Sequence, residues 1–165
     1  MITGNEMRNL QRAIMSEIVS EIRDSASDGG SVNQACKDAI TKTGVYKYVY
    51  SKGNPPTRYI RRYDAGGLAD DDNLFTTTSS GRNTVSIDIE DRTPAGDGGM
   101  VNPPPDPVHY LSDIVESGAN GPKWIDPDHP GARVYMEPSL ADGCSTGGEI
   151  DNELNALLRG LILNV

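Results

Sequence analysis

The sequence predicts an α+β fold: a central antiparallel sheet, amphipathic helices at the N- and C-terminal ends, and long Pro/Gly-rich loops. Three observations lead there. Met7, Leu10, Ile14, Ile18 and Ile22 recur every three or four residues near the start, which draws one apolar stripe along a helix. Ile150, Leu154, Leu157, Leu158 and Leu161 repeat the pattern near the end. Between them, TVSIDIED (Thr84 to Asp91) alternates Val85, Ile87 and Ile89 with Ser86, Asp88 and Glu90, the period of a half-buried strand. Helices flanking such a sheet pack on it to close one core.

The first helix carries its own start signal. Thr3 and Glu6 make a capping box, and Ile2 and Met7 are placed as a hydrophobic staple. The helix is predicted to run about 20 residues, or roughly 30 Å. Burial of its five stripe residues would contribute on the order of 10 kcal/mol gross. SASDGG, Ser25 to Gly30, stops it.

Ser31 with Gln34 suggests a second capping box, followed by Val32, Cys36, Ala39 and Ile40 at helical spacing. VYKYVY, Val45 to Tyr50, has strand-like composition but also the helical pairs Val45/Val49 and Tyr46/Tyr50. Helix is the preferred reading, although Gly44 costs it about 1 kcal/mol. SKGNPP breaks the chain, and Arg58 to Phe75 is too irregular in pattern to assign. NLFTTTSS, Asn73 to Ser80, is a partner strand for TVSIDIED, joined to it through SGRN as a hairpin.

Thr93 to Pro107 offers no core face, and a loop that long is functional or disordered. Asp106 and Pro107 then open a helix with Tyr110, Leu111, Ile114 and Val115 on its apolar face, ended by Gly118. A second loop leads to an extended segment from Arg133 to Met136. Thr146 and Glu149 form a third capping box before the last helix. The whole is one domain, residues 1–165, with long loops at about 92–107 and 119–132.

Composition narrows the function classes. At 165 residues the chain can bury roughly 70% of its unfolded surface without disulfides. Cys36 and Cys144 are too few for a disulfide framework and have no zinc-type spacing, so free thiols in a reducing cytosol are expected. No signal peptide pattern and no run near the ~20 apolar residues of a membrane span is present. The net charge of −9 opposes nonspecific DNA binding, which works by neutralising phosphates with Lys and Arg. It suits a surface past which DNA slides.

Reactive constellations are weak. His109, Asp126, Asp128 and His129 supply metal-ligand residue types, but their spacing matches no specific site and Asp-Pro and His-Pro are ordinary loop-makers. A small metal-dependent hydrolase built on these four is the rival reading from another class. ADDDN, Ala69 to Asn73, lacks the central Gly and distal Glu of a calcium loop, so turn or cap duty is expected. GDGG at Gly96 has no Lys or Ser/Thr after it to hold phosphate. Neither cysteine has a neighbouring His, and no serine sits in a nucleophile elbow. The expectation is a non-enzyme without cofactor or metal. Arg61 and Arg62, and Arg133 beside Tyr135, read equally as solvated surface or as anchors between subunits, since Arg pairs bidentately with carboxylates and stacks on rings.

The order of segments says more than any one of them. YIRRYDAGGLADDDNL, a Gly-turned hairpin, HYLSDIVESG, ARVYMEPSL and a last amphipathic helix together resemble the tail-completion, or head–tail joining, proteins of long-tailed bacteriophages. The resemblance spans roughly Tyr59 to Leu163. It departs from the family at Val134, where a Pro usually follows the arginine, and in the inserted GDGGMVNPPPDP.

The resemblance implies a virion structural protein, assembled in the host bacterial cytoplasm and located in the neck. It implies a homo-oligomeric ring, typically of six copies. Its partners would be a connector or stopper on the head side and the tail terminator or tail tube on the other, with DNA passing through the lumen unbound. Tyr59, Arg61, Arg62, Gly67, Leu68, Glu116, Gly118, Arg133, Tyr135 and Pro138 are the interface residues it points to. A tail-terminator ring is the nearest alternative.

Overall fold

The computed structural model describes residues 3–51, 64–81, 84–94 and 135–163. The fold is α+β, with helices at both ends and, among the described residues, a two-stranded antiparallel sheet. Helix α1 (Gly4–Ala26) begins at the predicted capping box: the Thr3 amide donates to Glu6 Oε2 at 2.7 Å, and the Glu6 amide to Thr3 Oγ1 at 3.3 Å. Strands β1 (Leu74–Ser80) and β2 (Val85–Asp91) pair in the register Leu74↔Asp91 through Ser80↔Val85. Leu74, Thr76 and Thr78 share the inner face with Val85, Ile87 and Ile89, the alternation the sequence predicts.

Helix α2 (Ser31–Asp38) runs directly into a π-helix, Ala39–Tyr50, and the sequence explains the change of coil. Ile40, Gly44, Val45 and Val49 are all buried. Ile40 and Val49 are nine positions apart, which is two and a half turns of an α-helix and would place them on opposite sides. With i→i+5 bonding the coil widens to about 4.4 residues per turn, and the same nine positions make two turns. The Ser51 amide closes the last of these bonds onto the Tyr46 carbonyl at 2.9 Å. Only the wider coil turns this apolar set to one side. Tyr46 and Tyr50, four apart, meet edge to face at 5.3 Å on the outer side.

Helix α3 (Met136–Cys144) and helix α4 (Glu149–Leu163) complete the fold. Helix α3 lies against the π-helix at very close approach. A Cβ on Gly44 would land on the Ser139 side chain, and one on Gly143 would come within 2.8 Å of the Ala39 Cβ. Two small-residue contacts thus lock the pair, through Ser139 and Gly143 at i,i+4 on α3 and Ala39 and Gly44 at i,i+5 on the π-helix. The core gathers Ile40, Val45, Val49, Leu68, Ala69, Leu74 and Tyr135. An adjoining group, Cys36, Ala39 and Ile150, shares Ile89 and Leu140 with it.

Several expectations are corrected. Ser31 is inside α2, whose N-cap is Gly30, and Gln34 donates to Asp38 and Asp71 instead of closing a box. The third box also fails, because α4 starts at Glu149, too late for Thr146 to cap it. Glu149 instead accepts from Thr43 Oγ1 at 2.5 Å, and Asp151 takes the Gly147 amide at 2.9 Å. Met136, read as the end of an extended segment, opens α3; Pro138 sits in its first turn, where no intrahelical amide is lost. The α1 stripe is not fully buried: Met7 is 46% and Leu10 49% exposed. Helix α1 meets α2, β2 and α4, but its N-terminal half stays exposed along the stripe. The helix predicted after Asp106 and the staple residue Ile2 lie outside the described residues.

Candidate interaction site

Three of the four predicted interface residues that the structure describes, Gly67, Leu68 and Tyr135, lie together where β2 ends. Gly66, at φ 79°, turns the chain as only glycine does without strain, and its amide donates to Asp70 Oδ2 at 2.6 Å. That turn aims the Gly67 carbonyl inward. It accepts from Asn73 Nδ2 at 3.0 Å and from the Asp70 amide at 3.1 Å, and Thr93 Oγ1 lies 3.4 Å from it. Leu68, next along, is buried in the main core.

Asp91 closes the arrangement. Its Oδ1 accepts from the Thr93 amide at 2.8 Å and from Thr93 Oγ1 at 2.6 Å. Its Oδ2 accepts the Tyr135 hydroxyl at 2.6 Å. Asp91 is 4% exposed and Thr93 and Tyr135 0%. A carboxylate can be buried this deeply only when donors compensate its lost hydration, and here three do. No substrate can reach it. What the cluster does is mechanical: it ties Gly67, Thr93 and Tyr135, distant in sequence, into one rigid node.

Gly67, Leu68 and Tyr135 therefore contribute to the chain's own core, and Pro138 is half-buried in the first turn of α3. Tyr59, Arg61, Arg62, Glu116, Gly118 and Arg133 lie outside the described residues, as do His109, Asp126, Asp128 and His129. Sequence reading missed Asp91 and Thr93 as node members. Asp91 ends the alternating strand in step with Val85, Ile87 and Ile89, and that parity is the signal that could have placed it on the inner face.

Of other titratable groups, Asp70, Asp71 and Asp72 bring their carboxylates within 4.8 Å of one another. Asp70 caps the short turn Asp71–Asn73 through the Asp72 amide, and Asp71 accepts from Gln34. This is the cap duty expected of ADDDN. Burial pushes the Cys36 thiol up to about 11, with Cys144 adding to the shift, so Cys36 is a poor nucleophile. At the far side of the π-helix, Asp142 accepts from Lys47 Nζ at 2.6 Å and from the Tyr48 hydroxyl at 2.5 Å. Those two bonds, Lys47 first, hold its carboxyl below the usual range.

Comparison of the chain with protein-family models, with curated proteins and with solved structures returns no match. Among the described residues no helix is long and apolar enough to cross a membrane.

Proposed function

We propose that the chain is a virion structural protein, a subunit of a homo-oligomeric ring at a phage head–tail junction. The ring joins a head-side connector or stopper to the tail terminator or tail tube, and DNA passes through its lumen. The ordered set of segments that resembles tail-completion proteins supports this reading. One structural observation carries it further. The buried node joins Gly67, Thr93 and Tyr135, which lie within three positions of Asp64, Pro94 and Tyr135, the residues that border stretches 52–63 and 95–134. Those stretches hold the Pro/Gly-rich segment and the arginines read as subunit anchors. A buried node beside those stretches, with the Asp91 carboxylate sealed from solvent, supports a structural part over a reactive one.

Particles carrying a C-terminal label on this chain, imaged by negative stain, test the location. Signal confined to the neck is expected; label spread over the capsid or along the tail rejects the reading. The Arg61→Ala, Arg62→Ala chain should join fewer heads to tails. A tail-terminator ring predicts label on the tail side in particles whose heads have been removed.

A further inference from the structure

We infer that Cys36 and Cys144 are a thiol pair that closes into a disulfide when the folded chain meets an oxidised low-molecular-weight disulfide, the class to which oxidised glutathione belongs. The inference goes beyond the proposed function and stands without it.

The two residues are far apart in sequence, and the packing around Gly143 brings them together. Cys36 is 7% exposed and lies in one cluster with Ala39 and Ile150. Gly143 sits on the other two members of that cluster: a Cβ added to it would come within 2.8 Å of the Ala39 Cβ and 3.0 Å of Ile150 Cδ1. Cys144 is the next residue. It also follows by four positions Leu140, which packs against the same cluster, and residues four apart share a side of a helix. Helices α2 and α3 meet directly. The thiols are close enough for charge on Cys144 to raise the Cys36 thiol, on top of the larger effect of burial. The chain has no other cysteine.

The pair is unequal, and the inequality sets an order. Cys144 is exposed and Cys36 buried, so Cys144 meets the reagent first. Its thiolate attacks one sulfur of the small disulfide and breaks the S–S bond; one half leaves as a thiol and the other stays on Cys144 as a mixed disulfide. Cys36 then attacks the Cys144 sulfur, and its proton goes to the second half as that departs. Two protein thiols are oxidised, and one small disulfide is reduced to two thiols. Because the thiolate is the nucleophile, burial slows the second step, and the mixed disulfide precedes the bond.

The bond joins α2 to the last residue of α3, beside the start of α4. In a reducing cytosol the pair stays as thiols, and in an oxidising exterior the bond persists. A subunit carried out of the cell in a particle, as proposed above, makes that passage.

The purified full chain, kept folded with oxidised glutathione, should first gain one glutathione and then shed it, ending lighter by its two thiol hydrogens. Peptide mapping without reductant should link the Cys36 and Cys144 peptides within one chain, and dithiothreitol should undo the link. The oxidised chain should show a higher urea midpoint than the reduced one, as a cross-link closing a long loop does. Cys36→Ser should stop at the mixed disulfide, and Cys144→Ser should stay unmodified while folded. The wild-type masses decide the question even if Cys36→Ser, a change in the core, fails to fold. A wild-type chain that keeps its glutathione on Cys144, or that dimerises through Cys144, overturns the inference. So does a link that forms only in denaturant, since a native bond needs the two Cα atoms within roughly 7 Å. These readouts come from the free chain, and the labelled particles decide location separately.

Discussion

The Tyr135 hydroxyl donates to the Asp91 carboxylate at 2.6 Å, joining the residue before α3 to the end of β2 in a place neither shares with solvent. Tyr135→Phe removes that donor and leaves the ring in place. A hydrogen bond to a charged acceptor contributes about 1.5–3 kcal/mol, and the exposed alternative is gone. The chain should lose stability by that order, read as a lower urea midpoint at unchanged slope. Asp91→Ala removes the acceptor for two residues and should cost more. Equal effects from the two variants would mean that Thr93 gains nothing from Asp91.

The contact of Gly44 with Ser139 gives a second test. Gly44→Ala forces a methyl onto the Ser139 side chain, and overpacking of this kind costs about 1–3 kcal/mol. Ser139→Gly makes room but deletes the hydroxyl that donates to the Tyr135 carbonyl. The double variant should therefore be more stable than the sum of the two losses predicts. Strict additivity in the cycle would show that α3 and the π-helix do not touch there in solution.

Acid should act first on exposed carboxylates. Hydrogen bonds from the Thr3 amide and hydroxyl hold the Glu6 carboxyl below its ordinary value of 4.5. A lowered pKa means the cap contributes above the unfolded value and is lost as pH falls through the folded one. The first turn of α1 should fray as pH falls past the ordinary glutamate value and through the lower folded one, seen as loss of amide protection, and Glu6→Gln should remove that step. Asp142 has the same sign. Lys47 is raised by Asp142, so its contribution holds below the ordinary lysine value and fades only in strong base. The pair is intact across the neutral range.

Much of the fold was legible because local signals agreed with the tertiary result. The Thr3/Glu6 box sits just before an uninterrupted helix, and Val85, Ile87 and Ile89 alternate with nothing to contradict them. The failures share a cause. Ser31/Gln34 and Thr146/Glu149 have capping-box spacing, but Gln34 finds Asp71 thirty-seven positions away and Glu149 finds Thr43 across 106. No local pattern encodes such partners. Helix α3 is short and its buried positions are small residues, Ser139 and Gly143, so it shows no stripe. Of the site, Gly67, Leu68 and Tyr135 were named as interface residues through the resemblance, while the meeting of Tyr135 and Thr93 at Asp91 depends on chain closure.

The π-helix makes the sharpest demand on residue placement. In α geometry, Ile40 in the core would turn Val49 to solvent; in the wider coil Val49 is 4% exposed and Tyr46 is 43% exposed. Val49→Ala should then cost about 2 kcal/mol for the methyl groups lost from the core, and Val49→Asp should prevent folding by burying a charge with no partner. Tyr46→Asp should leave the urea midpoint nearly unchanged apart from the lost ring contact with Tyr50. Deleting Thr43 shortens the segment by one residue, which swings Val45 and Val49 together away from Ile40 and should destabilise the chain more than Val49→Ala alone. A tolerated Val49→Asp would assign the segment an ordinary α-helical register.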